Sequence, residues 1–301
     1  MSDARTKQIV LTINGEEKSL TVRRGETLFD ALRNASYFSV KNGCKTGDCG
    51  ACTILLDGQP VYSCTLPAAR AAGRDVFTVE GLASGGELHP LQQAFIETGG
   101  SQCGYCTPGQ LMAAKALLDR NPNPTETEIR EALSGVLCRC TGYVKIVQAV
   151  QRAAAMLRGE QPVPLEPIHA TLGTDESPAE VVRQYRGLAE EAIARPPMVI
   201  SPPDMEPLQV VGKPEHKVDG YKLITGKPVF TDDIKMEGML YGELLTSPHA
   251  HARIKHIDAS RARALDGVVA VLTHEDVPRI KYATGGQSYP NPPPLDQVSL
   301  D

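Results

Sequence analysis

Eight cysteines fall into two sets of four. Cys44, Cys49, Cys52 and Cys64 are spaced C-x4-C-x2-C-x11-C, and Cys103, Cys106, Cys138 and Cys140 are spaced C-x2-C-x31-C-x-C. Four thiolates gathered at one place are ligands for a soft or borderline metal centre. The intervals between the first three are filled with glycine, in "NGCKTGDCGACTILLDG" (42–58). Gly43, Gly47 and Gly50 suit a chain that must curl closely around something, because glycine takes positive φ readily and lets backbone approach. Residues 141–301 hold no cysteine, so whatever the thiols bind belongs to the N-terminal half.

The C-x4-C-x2-C run matches the spacing of plant-type [2Fe–2S] ferredoxins. A loop around two irons and two sulfides points its amides inward, where they stabilise an anionic core. Cys103 and Cys106 stand just before a helix expected to open at Thr107-Pro108, whose positive end favours thiolate. The Cys138-x-Cys140 pair suits a metal-binding turn and is a poor candidate for a disulfide. Spacing alone leaves four-cysteine zinc sites open, since zinc uses the same ligand type. It nevertheless lacks the two C-x2-C knuckles that structural zinc favours.

Composition narrows the setting. The net charge of −5 gives no basic footprint for nucleic acid. No apolar run approaches the roughly 20 residues a membrane span needs. "MSDARTKQIV" lacks the apolar core of a secretion signal, and Arg23–Arg24 leads into "GETLFD" rather than an apolar run. The expectation is a cytoplasmic chain, where eight thiols argue for metal before disulfides.

The elements that would position the cysteines can be read in turn. "KQIVLTINGEEKSLTV" alternates on both sides of Asn14-Gly15, a tight hairpin signal, and "CTILLDGQPVYSC" repeats the pattern at Asp57-Gly58. "TLFDALRNA" reads as a helix capped by Thr27, and "DVFTVEGL" as one more strand. Four helices follow. They are "ELHPLQQAFIETGG", "TPGQLMAAKALLDR" with Thr107 as N-cap, "TETEIREALSG" with a Thr125/Glu128 capping box, and "TGYVKIVQAVQRAAAMLRG" with a core stripe from Tyr143 to Leu157. Prolines then cluster between Gly159 and Val211, interrupted by a helix in "SPAEVVRQYRGLAEEAIA". Beyond it, "GMLYGELLTS" and "GVVAVLTHEDVP" are strand-like, with a helix-like "DASRARALDG" between them. The last residues show no terminating element, so the chain is expected to end inside a domain.

Three further features carry less chemistry. His249 and His251 have no acidic or cysteine partner nearby and are expected to be structural or solvent-facing. "TDDI" (231–234) reads as an aspartate-capped turn rather than an acidic site. Asp48 is expected to set the conformation of the cysteine loop.

"NGCKTGDCGACTILLDGQPVYSC", "GSQCGYCTPGQLMAA" and "LSGVLCRCTGYVKIVQAV" together resemble the iron–sulfur region of the xanthine dehydrogenase and aldehyde oxidase family of molybdenum hydroxylases. "TGKPVFTDDIKMEGMLYGELLTSPHAHARIKHIDASRARALDGVVAVLTHEDVP" is similar to the start of that family's a/b hammerhead domain. The resemblance implies an α+β protein in four parts. These are a β-grasp ferredoxin-like domain over 1–82, a four-helix [2Fe–2S]-binding domain over 83–159, a Pro-rich linker over 160–211 and the first part of a hammerhead domain over 212–301.

It also implies two [2Fe–2S] clusters, one held by Cys44, Cys49, Cys52 and Cys64 and the other by Cys103, Cys106, Cys138 and Cys140. Gln102 and Cys140 match positions that approach the pterin of a molybdopterin cofactor, so the helical domain's cluster would lie nearest to it. In such enzymes molybdenum hydroxylates an N-heterocycle or aldehyde with oxygen from water, and electrons leave through the clusters, usually to FAD and NAD. No flavin domain fits in the linker, so either FAD is on a partner subunit or the enzyme uses a different acceptor. The catalytic molybdenum site is expected on a further chain or region. A stand-alone ferredoxin-like carrier or redox-sensing adaptor is the alternative.

Overall fold

A computed structural model describes residues 6–162, 215–227 and 230–276. The chain divides into two compact units, Met1–Met236 and Glu237–Asp301. The helix expected around 177–194, the tether and the final residues lie outside the described residues.

In the first unit, β1 (Thr6–Ile13) and β2 (Glu16–Arg23) form an antiparallel hairpin whose pairing runs to Ile13↔Glu16. Its turn residues Asn14 and Gly15 have φ of 52° and 84°, which matches the strand twist as a two-residue loop requires. A second hairpin joins β3 (Thr53–Leu56) and β4 (Gln59–Tyr62) through Asp57 and Gly58, again both at positive φ. The strand β5 (Asp75–Phe77) runs parallel to β1 and antiparallel to β3, giving a mixed sheet of order β2-β1-β5-β3-β4. Thus β2 and β4 are the sheet edges, and β4 carries Pro60. Helix α1 (Leu28–Asn34) is capped by Thr27, whose hydroxyl accepts the Asp30 amide.

One strand serves two cores. All four residues of β3 are buried. Ile54 and Leu56 pack with Ile9, Leu11, Ile13, Val76 and, from α1, Leu28 and Leu32. Leu55, which points to the opposite face by the period of two, joins the helical core instead. That core is built by α2 (Pro90–Glu97), α3 (Thr107–Arg120), α4 (Glu126–Leu133) and α5 (Val144–Leu157) around Phe95, Leu111, Ile129, Ile146 and Val150. Sheet and helices are therefore welded through β3.

Two details differ from expectation. Thr107 is not the cap of α3 but its first residue, with Cys106 in the flanking position. The Thr107 hydroxyl is buried and paired with Ser101 Oγ at 2.9 Å, so it is committed elsewhere. The stripe on α5 is core at Val147, Val150 and Ala154, whereas Leu157 is 44% exposed in the last turn. The capping box of α4 is present in both directions, Thr125 with Glu128.

A short helix α6 (Gly220–Ile224) packs on the four-helix region, and a single turn of 3-10 helix follows at Thr231–Asp233. In the second unit, α7 (Ser260–Arg263) falls within the helix-like stretch. The two strand-like stretches form no strand among the described residues, which corrects the β-α-β reading there. Alternation of apolar residues specifies extended backbone, but a strand also needs a partner for its amides and carbonyls. Leu240, Leu244, Leu245, Val269 and Leu272 accordingly remain exposed. No helix among the described residues is long and apolar enough to cross a membrane.

The packing makes a quantitative expectation. Phe95 is fully buried at the centre of the helical core, so Phe95→Ala should cost about 3–5 kcal/mol in a urea unfolding measurement. Val10→Ala, at a 47% exposed position, should change stability by less than about 0.5 kcal/mol.

Candidate metal centres

The first four cysteines come from the loop between α1 and β3, plus the turn after β4. Cys44 Sγ accepts the amides of Thr46, Asp48 and Cys49 at 3.4, 3.3 and 3.4 Å. The Thr46 side chain and these amides hold its thiol down to about 6, so Cys44 is poised as thiolate. Thr46 has one hydroxyl proton and its oxygen also meets the Asp48 carboxylate, so thiolate and carboxylate compete for that donor. Asp48 is exposed and orders the loop, in the role expected of it.

Cys52 and Cys64 meet in the buried floor of the loop. Burial, reinforced by the neighbouring Cys64 thiol, pushes Cys52 up to about 12. The loop admits no bulk at its bends. A Cβ on Gly43 would stand 2.4 Å from Cys49 Sγ, and Gly47, at φ +88°, would meet Thr65 at 2.9 Å.

The second four come from the loop before α3 and the turn between α4 and α5. Cys103 contacts Cys140, and Cys106 contacts Cys138. Burial pushes Cys106 far up and Cys103 up, against the lowering expected from the helix end. Desolvation outweighs the dipole there. Burial also opposes ionisation of Cys138, yet hydrogen bonds from the Thr141 side chain and amide prevail and lower it. Tyr143 reaches back from the head of α5. Its hydroxyl accepts the Cys138 amide at 2.8 Å and lies 3.3 Å from the Val136 carbonyl, to which it donates. Cys103, Cys140 and Gln102 are exposed on the same loop-and-turn surface.

The two loops touch. Leu137 N–H donates to the Cys49 carbonyl at 2.9 Å, one residue before Cys138. Tyr62 Oη donates to the Gly135 carbonyl at 2.9 Å, and Tyr105 Oη to the Asn42 carbonyl at 2.7 Å. A Cβ on Gly50 would lie 2.0 Å from Gly135 O, and one on Gly109 would lie 2.6 Å from Gly50 O. Only glycine fits at this seam.

Sulfur-only donors, inward amides and glycine bends fit a sulfide-containing cluster in each loop. Among the described residues no group of three or more His, Cys, Asp or Glu side chains is gathered closely enough to hold a metal ion. His249 and His251 are exposed, as expected. Sequence reading missed Thr46, Tyr62, Thr141 and Tyr143. The two threonines stand two or three residues beyond a cysteine, a local cue that was available. The tyrosines act through the fold and left no cue.

Comparison with known proteins agrees with this geometry. Residues 11–78 match the family described as "2Fe-2S iron-sulfur cluster binding domain". Residues 78–151 match "[2Fe-2S] binding domain", and residues 225–297 match "Aldehyde oxidase and xanthine dehydrogenase, a/b hammerhead domain". The chain is 50% identical over 146 residues to the nicotinate dehydrogenase small FeS subunit of Eubacterium barkeri, covering 48% of this chain and 93% of that protein. It is 33% identical over 290 residues to the aldehyde oxidoreductase of Megalodesulfovibrio gigas, covering 94% of this chain but 28% of the relative. The crystal structure of the aldehyde oxidoreductase from Desulfovibrio desulfuricans ATCC 27774 superposes with a TM-score of 0.70 at 33% identity, over 94% of this chain and 28% of that one.

Fold and matches together define a protein with two iron–sulfur domains joined to a hammerhead region. The chain belongs to the xanthine dehydrogenase and aldehyde oxidase family of molybdenum hydroxylases, and it is the iron–sulfur part of such an oxidoreductase.

The seam can be tested directly. Tyr62→Phe removes one hydrogen bond and should cost about 0.5–1.5 kcal/mol. Gly50→Ala, which drives a methyl group into the Gly135 carbonyl at positive φ, should cost more than Tyr62→Phe in the same urea titration.

Proposed function

We propose that this chain carries electrons between a molybdopterin centre and an external acceptor through two [2Fe–2S] clusters. Cys44, Cys49, Cys52 and Cys64 would hold one, and Cys103, Cys106, Cys138 and Cys140 the other. When bound, each cluster takes up and passes on one electron at a time. The observation that carries this reading is the joining of the two loops by the Leu137 amide and the Cys49 carbonyl.

The chain's own residues position and tune. Amides of Thr46, Asp48 and Cys49 offset negative charge on Cys44, and Thr141 does the same for Cys138. Burial of Cys52 and Cys64 limits solvent access, and desolvation raises the cost of charge at Cys52 and at the partly buried Cys106. The exposed Gln102 and Cys140 would face the molybdopterin, with FAD on a partner subunit. In domain terms, 1–82 would be β-grasp, 83–159 a four-helix domain, 160–211 a linker and 212–301 the first part of a hammerhead. The substrate would be an N-heterocycle or aldehyde bound on the molybdenum side, and eight free thiols suit the reducing cytoplasm.

The reconstituted protein should contain four irons and four acid-labile sulfides, two of each for each of the two 2Fe-2S domains. Dithionite reduction should give two distinct paramagnetic resonance signals. Cys106→Ser should remove one signal and leave the other. A colourless zinc protein would overturn the proposal. Persistent absence of molybdenum from the native complex would leave a stand-alone carrier in its place.

A further inference from the structure

The aspartate turn at 231–234 plays no part in either cysteine site, yet Asp233 is among the most buried charged groups described. Its side chain is 1% exposed and meets Lys41 Nζ at 2.7 Å and Arg33 Nη1 at 3.1 Å, themselves 2% and 8% exposed. Arg33 also donates to the Asp232 carbonyl at 2.6 Å and lies over the rings of Phe29 and Phe38. Lys235 returns a bond to the Arg33 carbonyl at 3.1 Å. A segment some 200 positions distant in sequence thus supplies the counter-charge for two cations of the sheet domain.

The same segment grips the helical domain. Leu223 and Ile224 of α6 are buried, and Leu223 sits so close over Gly104 that a Cβ there would meet it at 2.5 Å. Gln92 Nε2 donates to the Ile224 carbonyl at 2.9 Å. Gly226, at φ +77°, crosses within 2.7 Å of Ser39 Cβ, measured from its own ideal Cβ position. The Phe230 ring meets Tyr105 edge-on, with centroids 4.9 Å apart.

We propose that residues 217–235 are a docking strap that holds the molybdenum-side portion onto the iron–sulfur portion, that the strap binds without a covalent link, and that Asp233 is its charged anchor. The site takes a peptide of defined chemistry: a buried leucine, then an aromatic ring three residues ahead of an acid. A peptide neutral at that last position leaves Lys41 buried without its ion-pair partner and Arg33 with Asp232 alone, at 3.0 Å, which costs far more than an exposed pair is worth. The small FeS subunit from Eubacterium barkeri is matched over 93% of its length by 48% of this chain, so in that relative the cluster-bearing portion stands as a separate polypeptide. A grip that works between chains is what such an arrangement demands.

The test uses the full chain with a specific protease site placed between residues 163 and 214. After cutting, the two fragments should co-elute in size exclusion, and a synthetic peptide of residues 217–235 should release the C-terminal fragment. The same peptide with Asp233→Asn should need about a hundredfold higher concentration, the scale set by an unpaired buried charge. Because the substitution sits in the peptide, no variant has to fold. Separation of the cut fragments without competitor, or equal potency of the two peptides, would overturn the proposal. The iron content of the N-terminal fragment reports independently on the cluster assignment.

Discussion

The tightest glycine contact among the described residues is the meeting of backbones at Gly50, Gly109 and Gly135. There the carbonyl of Cys49 and the amide of Leu137 approach to hydrogen-bonding distance because no side chain stands between them. Everything on either side is arranged to keep that approach. β3 contributes one face to each core, so the sheet and helices cannot shift independently. Tyr62 and Tyr105 each reach across with a hydroxyl, from opposite partners. Electron transfer falls steeply with distance, and a contact of this kind serves the family's task by fixing the gap in covalent and hydrogen-bonded structure.

The thiols around the seam are unequal, and their environments explain why. Cys44 lies where the loop turns three amides inward, and hydrogen bonding to the anion dominates. Cys52 and Cys106 lie among apolar atoms with another thiol as neighbour, and desolvation dominates. Each group of four therefore has a polar side and an apolar side. Metal binding must overcome proton competition unequally within each set.

Much of this was legible in sequence because it is local. The Asn14-Gly15 and Asp57-Gly58 hairpins and the Thr125/Glu128 box all operate within a few residues, and each appears as read. Contacts that join distant residues left no such trace. Thr107 looked like a cap because its hydroxyl is correctly spaced, but Ser101 claims it. The strand-like stretches beyond Gly238 have the alternation of strands yet find no ladder among the described residues, since pairing is decided by a partner edge. Asp233 was rightly read as part of a turn, while its two cationic partners at Arg33 and Lys41 lay beyond any local pattern.

The rims of the sheet have a consequence of their own. One rim is β2, which carries Glu16, Glu17, Lys18 and Arg23, and the other is β4, where Pro60 offers no amide. Charge and proline both discourage a foreign strand from zipping onto an open border. Self-association by sheet extension is thereby suppressed in a domain whose hairpins would otherwise template it. Recognition of neighbours is left to loops, helix ends and turns, the surfaces from which the sulfur atoms emerge.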